Sequence, residues 1–236
     1  AVAVDAGGNV AVTGKSIETG VADNIRTILY NGVTGAQVWS ADYNGSANSA
    51  DSGATVAFDS GGNVLVSGFS TDTAGGLNIR TLKYSGAGAL MWTARENPVT
   101  AALAIAGGAR AMAVDGAGNV AVTGKLRDDN DGDKIYTAKI SSATGAVLWT
   151  ALFDGSEIDY DGGQAVAFDS AGNVFVTGYS YEVGEANNIR TIKYDGATGA
   201  QLWSASFNGS ASGDDIGNAI AKIGRASCRE RVSSPV

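Results

Sequence analysis

Two short acidic stretches contain the residues best suited to metal chemistry, since Ca²⁺ prefers closely spaced carboxylate oxygens. The stretch RDDNDGDK at 127–134 supplies Asp128, Asp129, Asp131 and Asp133. The stretch DGSEIDYDGG at 154–163 supplies Asp154, Glu157, Asp159 and Asp161. In a D-x-D-x-D-G calcium loop turning at Gly132, Arg127 stands where the first aspartate belongs. The spacing therefore favours a solvated acidic loop over a calcium site. We expect no cofactor, with Ca²⁺ as the one candidate.

The residue types that are missing exclude several kinds of chemistry. His is absent, Cys occurs once, and the formal net charge is −8. Without imidazole, a Ser-His-Asp triad and a histidine-based zinc site are excluded for this sequence. A nucleic-acid partner requires a basic surface to displace phosphate counterions, and this acidic composition excludes one. The sequence also contains no apolar run of about 18 residues, so it predicts no membrane span.

The segment VTGKS at 12–16 contains the Gly-Lys-Ser of a phosphate-binding loop. That motif needs a further glycine five positions before Gly14, where this chain has Asn9. It also needs a helix after the loop, whereas this segment has the composition of a β-strand. A phosphate loop is therefore excluded here.

One hairpin pattern occurs four times, as DAGGNVAVTGKS, DSGGNVLVSGFS, DGAGNVAVTGKL and DSAGNVFVTGYS. These segments begin at Asp5, Asp59, Asp115 and Asp169. Their asparagines are spaced by 54, 56 and 54 residues, and the four tryptophans by 53, 57 and 54. Two independent markers with one period indicate a structural repeat.

Each repeat is predicted to form four strands, which in the last repeat cover 164–169, 174–180, 189–194 and 201–207. The turn between the first two strands suits Asp169, which can accept a bond from the backbone two residues on, and Gly172, which tolerates positive φ. The second strand is apolar on both faces, with Val174 and Val176 on one and Phe175 on the other. Such a strand is typical of a sheet packed between two others.

These features predict an all-β fold, a β-propeller fragment of four four-stranded blades of about 54 residues each, plus the first strand of a fifth. A β-sandwich or an up-and-down barrel would not require this period with one tryptophan per unit. The predicted blades cover residues 1–53, 54–108, 109–162 and 163–215, and the fifth begins at 216–222. With typical rings of 4–8 blades, we expect a parent ring of about seven.

The last residues, 223–236, break the repeat and contain the single Cys228. The string IGRASCRERV at 223–232 resembles a translated sequencing adapter. We therefore expect a non-native tail here, and the alternative is an unusual basic C-terminus.

The pattern AVAFDSAGNVFVTGYS…NNIRTIKYDGATGAQLWSASFNG resembles the bacterial β-propeller repeat family called SBBP, and the likeness covers residues 1–222. The resemblance implies an exported or cell-surface bacterial protein, often one module of a larger one. The family has no shared catalytic residues that could be assigned here.

Residues present in the equivalent place of several blades are expected to support the blade. This structural set comprises Asp5, Asp59, Asp115, Asp169, Trp39, Trp92, Trp149, Trp203, Arg26, Arg80 and Arg190. The arginines could form an anion-binding ring, but pairing with an aspartate of their own or the next blade is favoured. Tyr136 replaces the arginine in the third blade. The tryptophans are expected to anchor the core between blades rather than stack on sugars.

The turn YDGATGAQLW at 194–203 resembles the Thr-Gly…Trp turn of quinoprotein propellers. There the motif docks one blade on another, so it carries no evidence of quinone binding. The metal and catalytic aspartate loops of those enzymes find no match in this sequence.

Loops that differ between blades are predicted to share one face of the propeller. They are the second-to-third-strand loops 17–24, 71–78, 126–134 and 181–188, and the blade-to-blade loops 43–53, 95–108, 153–163 and 208–215. Binding sites concentrate on such loops. The apolar insertion 97–111 is expected to form a packed short helix or an exposed contact patch.

We predict a non-catalytic binding or structural module of a larger exported bacterial surface protein. Its partner would be a protein or carbohydrate, bound through the face with the variable loops, at an extracellular or cell-surface location. The alternative is part of a hydrolase, lyase or quinoprotein-like enzyme with active residues in variable loops or missing blades. Ionisable residues from several blades converging on the axis would favour the enzyme.

Overall fold

A computed structural model describes residues 1–17, 22–73, 76–96, 108–128, 132–155, 160–182, 186–210 and 213–221. The described residues form sixteen strands in four antiparallel four-stranded sheets, each in the order first, second, third, fourth strand. The described part of the chain contains no helix long and apolar enough to cross a membrane.

Each sheet is one blade, built from four consecutive strands. Blade 1 contains β1 (Val2–Val4), β2 (Val10–Ile17), β3 (Asp23–Tyr30) and β4 (Gln37–Tyr43). Blade 2 contains β5 (Ser52–Phe58), β6 (Val64–Thr71), β7 (Leu77–Tyr84) and β8 (Leu90–Arg95). Blade 3 contains β9 (Gly108–Val114), β10 (Val120–Asp128), β11 (Gly132–Ile140) and β12 (Val147–Phe153). Blade 4 contains β13 (Gly162–Phe168), β14 (Val174–Tyr181), β15 (Asn187–Tyr194) and β16 (Gln201–Phe207).

The first hairpin of every blade is closed by the same side-chain chemistry. In blade 4, the backbone N–H of Ala171 and that of Asn173 each donate to Asp169 Oδ1 at 2.9 Å. Asn173 Nδ2 donates to Asp169 Oδ2 at 2.9 Å. Gly172 has a φ of +82°. One aspartate therefore satisfies several turn donors, and the turn ends in the conformation that glycine tolerates.

The hydrophobic core lies between the blades, in three apolar layers. Val64 and Val66 of β6 lie in the layer between blades 1 and 2, and Leu65 lies in the layer between blades 2 and 3. Val174 and Val176 likewise lie between blades 3 and 4. The first strands β5, β9 and β13 each pack against the second and third strands of the preceding blade. Sheets stacked face to face in chain order confirm the predicted all-β propeller fragment.

The segment predicted to begin a fifth blade contains no strand among the described residues 213–221. The backbone N–H of Gly217 donates to Gly178 O at 3.0 Å. A Cβ on Gly217 would lie 2.3 Å from Thr177 Oγ1, as one on Gly53 would lie 2.2 Å from Thr13 Oγ1. The segment therefore lies against blade 4 as a first strand does.

Candidate ligand site on the propeller axis

A pocket of about 420 Å³ lies where the inner strands of blades 2, 3 and 4 begin. Its walls come from the starts of β5, β9 and β13 and from the second strands beside them. The lining residues are Ala54, Phe69, Gly108, Ala109, Arg110, Lys125, Gly162, Gly163, Gln164 and Tyr179. This end of the blades also carries the second-to-third-strand loops and the blade-to-blade connections. The pocket thus opens on the face predicted to hold the binding site.

A β-bulge in each first strand supplies one pocket residue. The pairing of β5 with β6 skips Ala54, that of β9 with β10 skips Arg110, and that of β13 with β14 skips Gln164. A bulged residue is left out of the ladder and its side chain is re-aimed, which is why bulges recur beside active sites. Three structurally equivalent positions therefore carry alanine, arginine and glutamine.

The second strands supply the other variable pocket position, one residue after their repeated glycine. That position holds Lys15, Phe69, Lys125 and Tyr179 in blades 1 to 4, alternating between a cation and an aromatic ring. Gly162 lies directly across from Tyr179, and a Cβ on it would come within 2.8 Å of the tyrosine hydroxyl. A larger residue at 162 would therefore require the tyrosine ring to shift.

The charged residues that line the pocket, Arg110 and Lys125, are both cations, although the whole chain carries −8. Arg110 Nε donates to Gln164 Oε1 at 3.0 Å, and an amide does not neutralise a guanidinium. Lys125 Nζ lies 2.7 Å from Asp133 Oδ2, and Arg127 Nε lies 2.9 Å from Asp133 Oδ1. Lys125 thus shares one carboxylate with Arg127, which does not line the pocket, and Arg110 is the other cation among the lining residues. The pocket can attract an anion.

The calcium prediction falls largely outside the described residues, which exclude Asp129, Asp131 and the side chain of Asp128. Asp133 is buried and faces Lys125 and Arg127. Asp154 Oδ2 lies 2.9 Å from Lys134 Nζ. Within the described ranges, no three acidic, His or Cys side chains are grouped to hold a metal ion. Calcium binding stays a prediction.

The blade-to-blade loops contain a repeated aspartate whose structural role the sequence analysis did not predict. Gly45, Gly155 and Gly209 each donate a backbone N–H, at 2.6 Å, to the aspartate six residues later. These aspartates are Asp51, Asp161 and Asp215. Asp51 also accepts from the backbone N–H of Thr71 in the next blade at 3.0 Å, and Asp161 accepts from that of Tyr181 at 3.1 Å. The repeated Gly-x₅-Asp spacing was the available signal.

The repeated arginines pair with acids of their own blades and do not line the pocket. Arg26 contacts Asp42 at 2.6 Å, Arg80 contacts Asp72 at 3.0 Å, and Arg190 contacts Glu182. In addition, Arg80 lies over the ring of Tyr43 and Arg190 over that of Phe153, each in the preceding blade. Their geometry is that of blade-to-blade packing.

The interface between blades 2 and 3 contains two buried ionisable side chains, Glu96 and Tyr136, and the sequence analysis did not predict their burial. Glu96 follows β8 directly and is fully buried, with Thr81 Oγ1 donating to its Oε1. Burial raises the pKa of Glu96 to about 7, against smaller lowering effects of Thr81 and Arg80. Tyr136, at the position of the repeated arginine, is also fully buried, and desolvation followed by the Glu96 charge raises its pKa.

No protein-family model and no curated protein matches this sequence. Among solved structures, the chain is similar to a protein of unknown function from Bacteroides caccae, with 14% identity and a TM-score of 0.46 over 86% of this chain and 59% of that one. It is similar to an acylaminoacyl peptidase from Pyrococcus horikoshii, with 10% identity and a TM-score of 0.49 over 89% of this chain and 32% of that one. It is also similar to BamB from Moraxella catarrhalis, with 15% identity and a TM-score of 0.40 over 87% of this chain and 75% of that one.

The chain therefore spans less than two thirds of the first two of these proteins. Likeness at this level does not carry an activity from one protein to another. The propeller assignment rests on the stacking of the four sheets described above.

Proposed function

We propose that this chain is a non-catalytic ligand-binding module of an exported bacterial surface protein, and that it binds an acidic carbohydrate in the axial pocket. The observation that carries the proposal is the set of side chains that differ between blades and converge on one pocket. Arg110, Lys125, Gln164 and Tyr179 come from two blades, while the residues around them repeat.

The chemistry of the lining suits a carboxylate attached to a sugar ring. A guanidinium and an ammonium form charge-assisted hydrogen bonds with carboxylate oxygens. The rings of Phe69 and Tyr179 offer apolar faces, and Gln164 and the tyrosine hydroxyl offer polar contacts. A cavity of about 420 Å³ has the size of a small-ligand site.

The same lining supports binding over turnover. A guanidinium is unsuited to act as a general base, so Arg110 is suited to bind an anion. Lys125 Nζ lies 2.7 Å from Asp133 Oδ2, so the lysine is already engaged by a carboxylate. Ionisable residues do converge on the axis, the feature expected of the enzyme alternative, but their charges suit anion recognition.

The bacterial surface location and the SBBP family are supported by the repeat pattern of residues 1–222. No family model matches the chain, and we propose the SBBP family and the surface location on the repeat pattern alone.

The test is calorimetric titration of the 236-residue chain with trigalacturonate and, in parallel, with the neutral sugar maltotriose. We expect binding of the acidic sugar alone, weakened by added salt. Arg110→Ala should weaken it at least about tenfold, since a hydrogen bond to a charged group contributes roughly 1.5–3 kcal/mol. Lys15→Ala is the matched control, because Lys15 occupies the position of Lys125 in blade 1 and does not line the pocket.

Equal affinity for both sugars, or an unchanged affinity of the Arg110 variant, would contradict the proposal. Chromatography of the titrated sugar decides the enzymatic alternative, since shorter products would show cleavage.

A further inference from the structure

The pocket lysine occurs in this repeat together with an acid on the neighbouring strand. One residue after the repeated glycine of the second strand, blades 1 and 3 have Lys15 and Lys125, whereas blades 2 and 4 have aromatic rings. Two residues further on, the second strand pairs with the start of the third strand. The residues at that start in blades 1 to 4 are Asp23, Leu77, Asp133 and Asn187. An acid is therefore present in the two blades that have the lysine, and its position suits an ion pair.

Blade 1 contains this ion pair in its simplest form. Lys15 Nζ lies 2.9 Å from Asp23 Oδ2, and the two side chains are 59% and 26% exposed. Ile17, which pairs with Asp23 in the ladder, carries no charge. One cation and one carboxylate therefore cancel, and Lys15 does not line the axial pocket.

Blade 3 adds a second cation to the same carboxylate. Arg127 occupies the position of Ile17, and its Nε donates to Asp133 Oδ1 at 2.9 Å. Lys125 Nζ lies 2.7 Å from the other oxygen of Asp133, Oδ2. The residues at the position of Arg127 in blades 2 and 4 are Thr71 and Tyr181. Two cations on one carboxylate leave one unit of positive charge in blade 3, whereas the pair in blade 1 leaves none.

Asp133 is fixed by its surroundings, whereas Lys125 is partly exposed to the pocket. The Asp133 side chain is 0% exposed, and its backbone oxygen accepts the N–H of Asp161 at 3.1 Å. The Lys125 side chain is 30% exposed and lines the pocket. A buried carboxylate that loses its only cation strongly destabilises a protein. Without Arg127, Lys125 would therefore be confined to Asp133.

We infer that Arg127 is a positioning residue for the axial pocket, which keeps Asp133 paired and thereby allows Lys125 Nζ to donate to an anionic group of the ligand. The inference rests on the proposed binding of an acidic carbohydrate. Arg127 does not line the pocket and acts through the carboxylate that it shares with Lys125. The selectivity of the pocket for anions is therefore set in part by a residue outside it.

The first experiment is calorimetric titration of the 236-residue chain and its Arg127→Gln variant with trigalacturonate. The variant should bind about tenfold more weakly, because one unit of positive charge beside the pocket is lost and Lys125 is confined to Asp133. Its affinity should also depend less steeply on salt concentration. Arg127→Lys keeps the charge and should bind within about threefold of the unmodified chain. The Arg127 side chain is 44% exposed, so circular dichroism should show that both variants keep their fold.

Lys15→Gln is the matched control for the lost charge. It removes one cation from the equivalent ion pair of blade 1, outside the pocket, and should leave the affinity for trigalacturonate unchanged. Equal losses of affinity in Lys15→Gln and Arg127→Gln would overturn the inference, since only the net charge of the chain would then matter. An unchanged affinity of Arg127→Gln would overturn it as well, as would an Arg127→Lys variant as weak as Arg127→Gln.

A measurement without ligand separates this inference from the proposed function. Lysine amines are acetylated with a limiting amount of acetic anhydride, and mass spectrometry gives the rates at Lys125 and Lys15. In Arg127→Gln the rate at Lys125 should fall at least about twofold, because the buried Asp133 is then left with this one cation. The rate at Lys15 should stay the same. If the unmodified chain does not bind trigalacturonate, the proposed function fails. An unchanged rate at Lys125 overturns the inference in either case.

Discussion

Replacing Glu96 by glutamine tests whether a buried carboxyl group makes the interface of blades 2 and 3 sensitive to pH. Glu96 Oε1 accepts from Thr81 Oγ1, and Oε2 has no hydrogen-bond partner among the described residues. The Arg80 charge and the buried Tyr136 hydroxyl are the ionisable groups that interact with it from β7 and β11. Glutamine keeps the oxygen that Thr81 needs and removes the titration.

The pKa of Glu96 gives both the sign and the size of the effect. Its ordinary value is 4.5 and burial raises it to about 7. The folded protein therefore holds a proton that the unfolded chain releases, and its stability falls as pH rises from about 4.5 through 7. A difference of 2.5 pKa units, at 1.36 kcal/mol each, corresponds to about 3 kcal/mol. Glu96→Gln should remove this loss.

The assay is urea unfolding followed by tryptophan fluorescence at pH 5, 6, 7 and 8. We expect the variant to be more stable than the unmodified chain by about 2–3 kcal/mol at pH 8 and by less than about 1 kcal/mol at pH 5. Asp195→Asn is the control, because local hydrogen bonds, first that from the backbone N–H of Thr198, lower the pKa of this aspartate below 3.8. Its stability difference should stay constant across this range. A pH-independent difference for Glu96→Gln would refute the reasoning.

Two further predictions concern the contacts between blades, and urea unfolding measures both. Gly145→Ala should destabilise the chain by about 2 kcal/mol or more, because its φ is +72° and the new Cβ would lie 2.8 Å from an indole ring. Gly116→Ala should have little effect, since a Cβ there meets nothing within 4 Å. Lys83→Met should cost about 3–5 kcal/mol, because it leaves a buried carboxylate without its cation. Lys15→Met breaks an exposed pair and should cost less than about 1 kcal/mol. Equal losses of stability in the two glycine variants, or in the two lysine variants, would contradict these explanations.

The fold could be predicted because each blade solves its local problems with short-range sequence patterns. The predicted strands 174–180 and 201–207 correspond to Val174–Tyr181 and Gln201–Phe207. The turn before the second strand is closed within five residues, from Asp169 to Asn173. Local chemistry of this kind is visible in sequence because donor and acceptor are separated by two to four positions.

The axial pocket could not be predicted, because it joins residues of different blades, such as Arg110 and Gln164, that are more than fifty positions apart and are aimed by bulges. Arg110 and Gln164 meet only after β9 and β13 have skipped them in the ladder. No short pattern announces a bulge at this point. An alignment of the blades would have shown alanine, arginine and glutamine at one position, and that variation was the available signal. Glu96 was missed for a related reason, since only burial distinguishes it from a surface acid.

The bulges also explain how one chain combines a repeated scaffold with a site that differs between blades. A bulged residue makes no ladder hydrogen bonds and its side chain points towards solvent at the axis, so exchanging alanine for arginine there changes few contacts of the blade. Trp149 and Gly199, in contrast, contact each other across an interface, and neither can change alone. Substitutions at Arg110 and Gln164 should therefore have little effect on the stability of the blades. The pocket accordingly contains the cations Arg110 and Lys125 although the chain has a net charge of −8, while the blades around it stay alike.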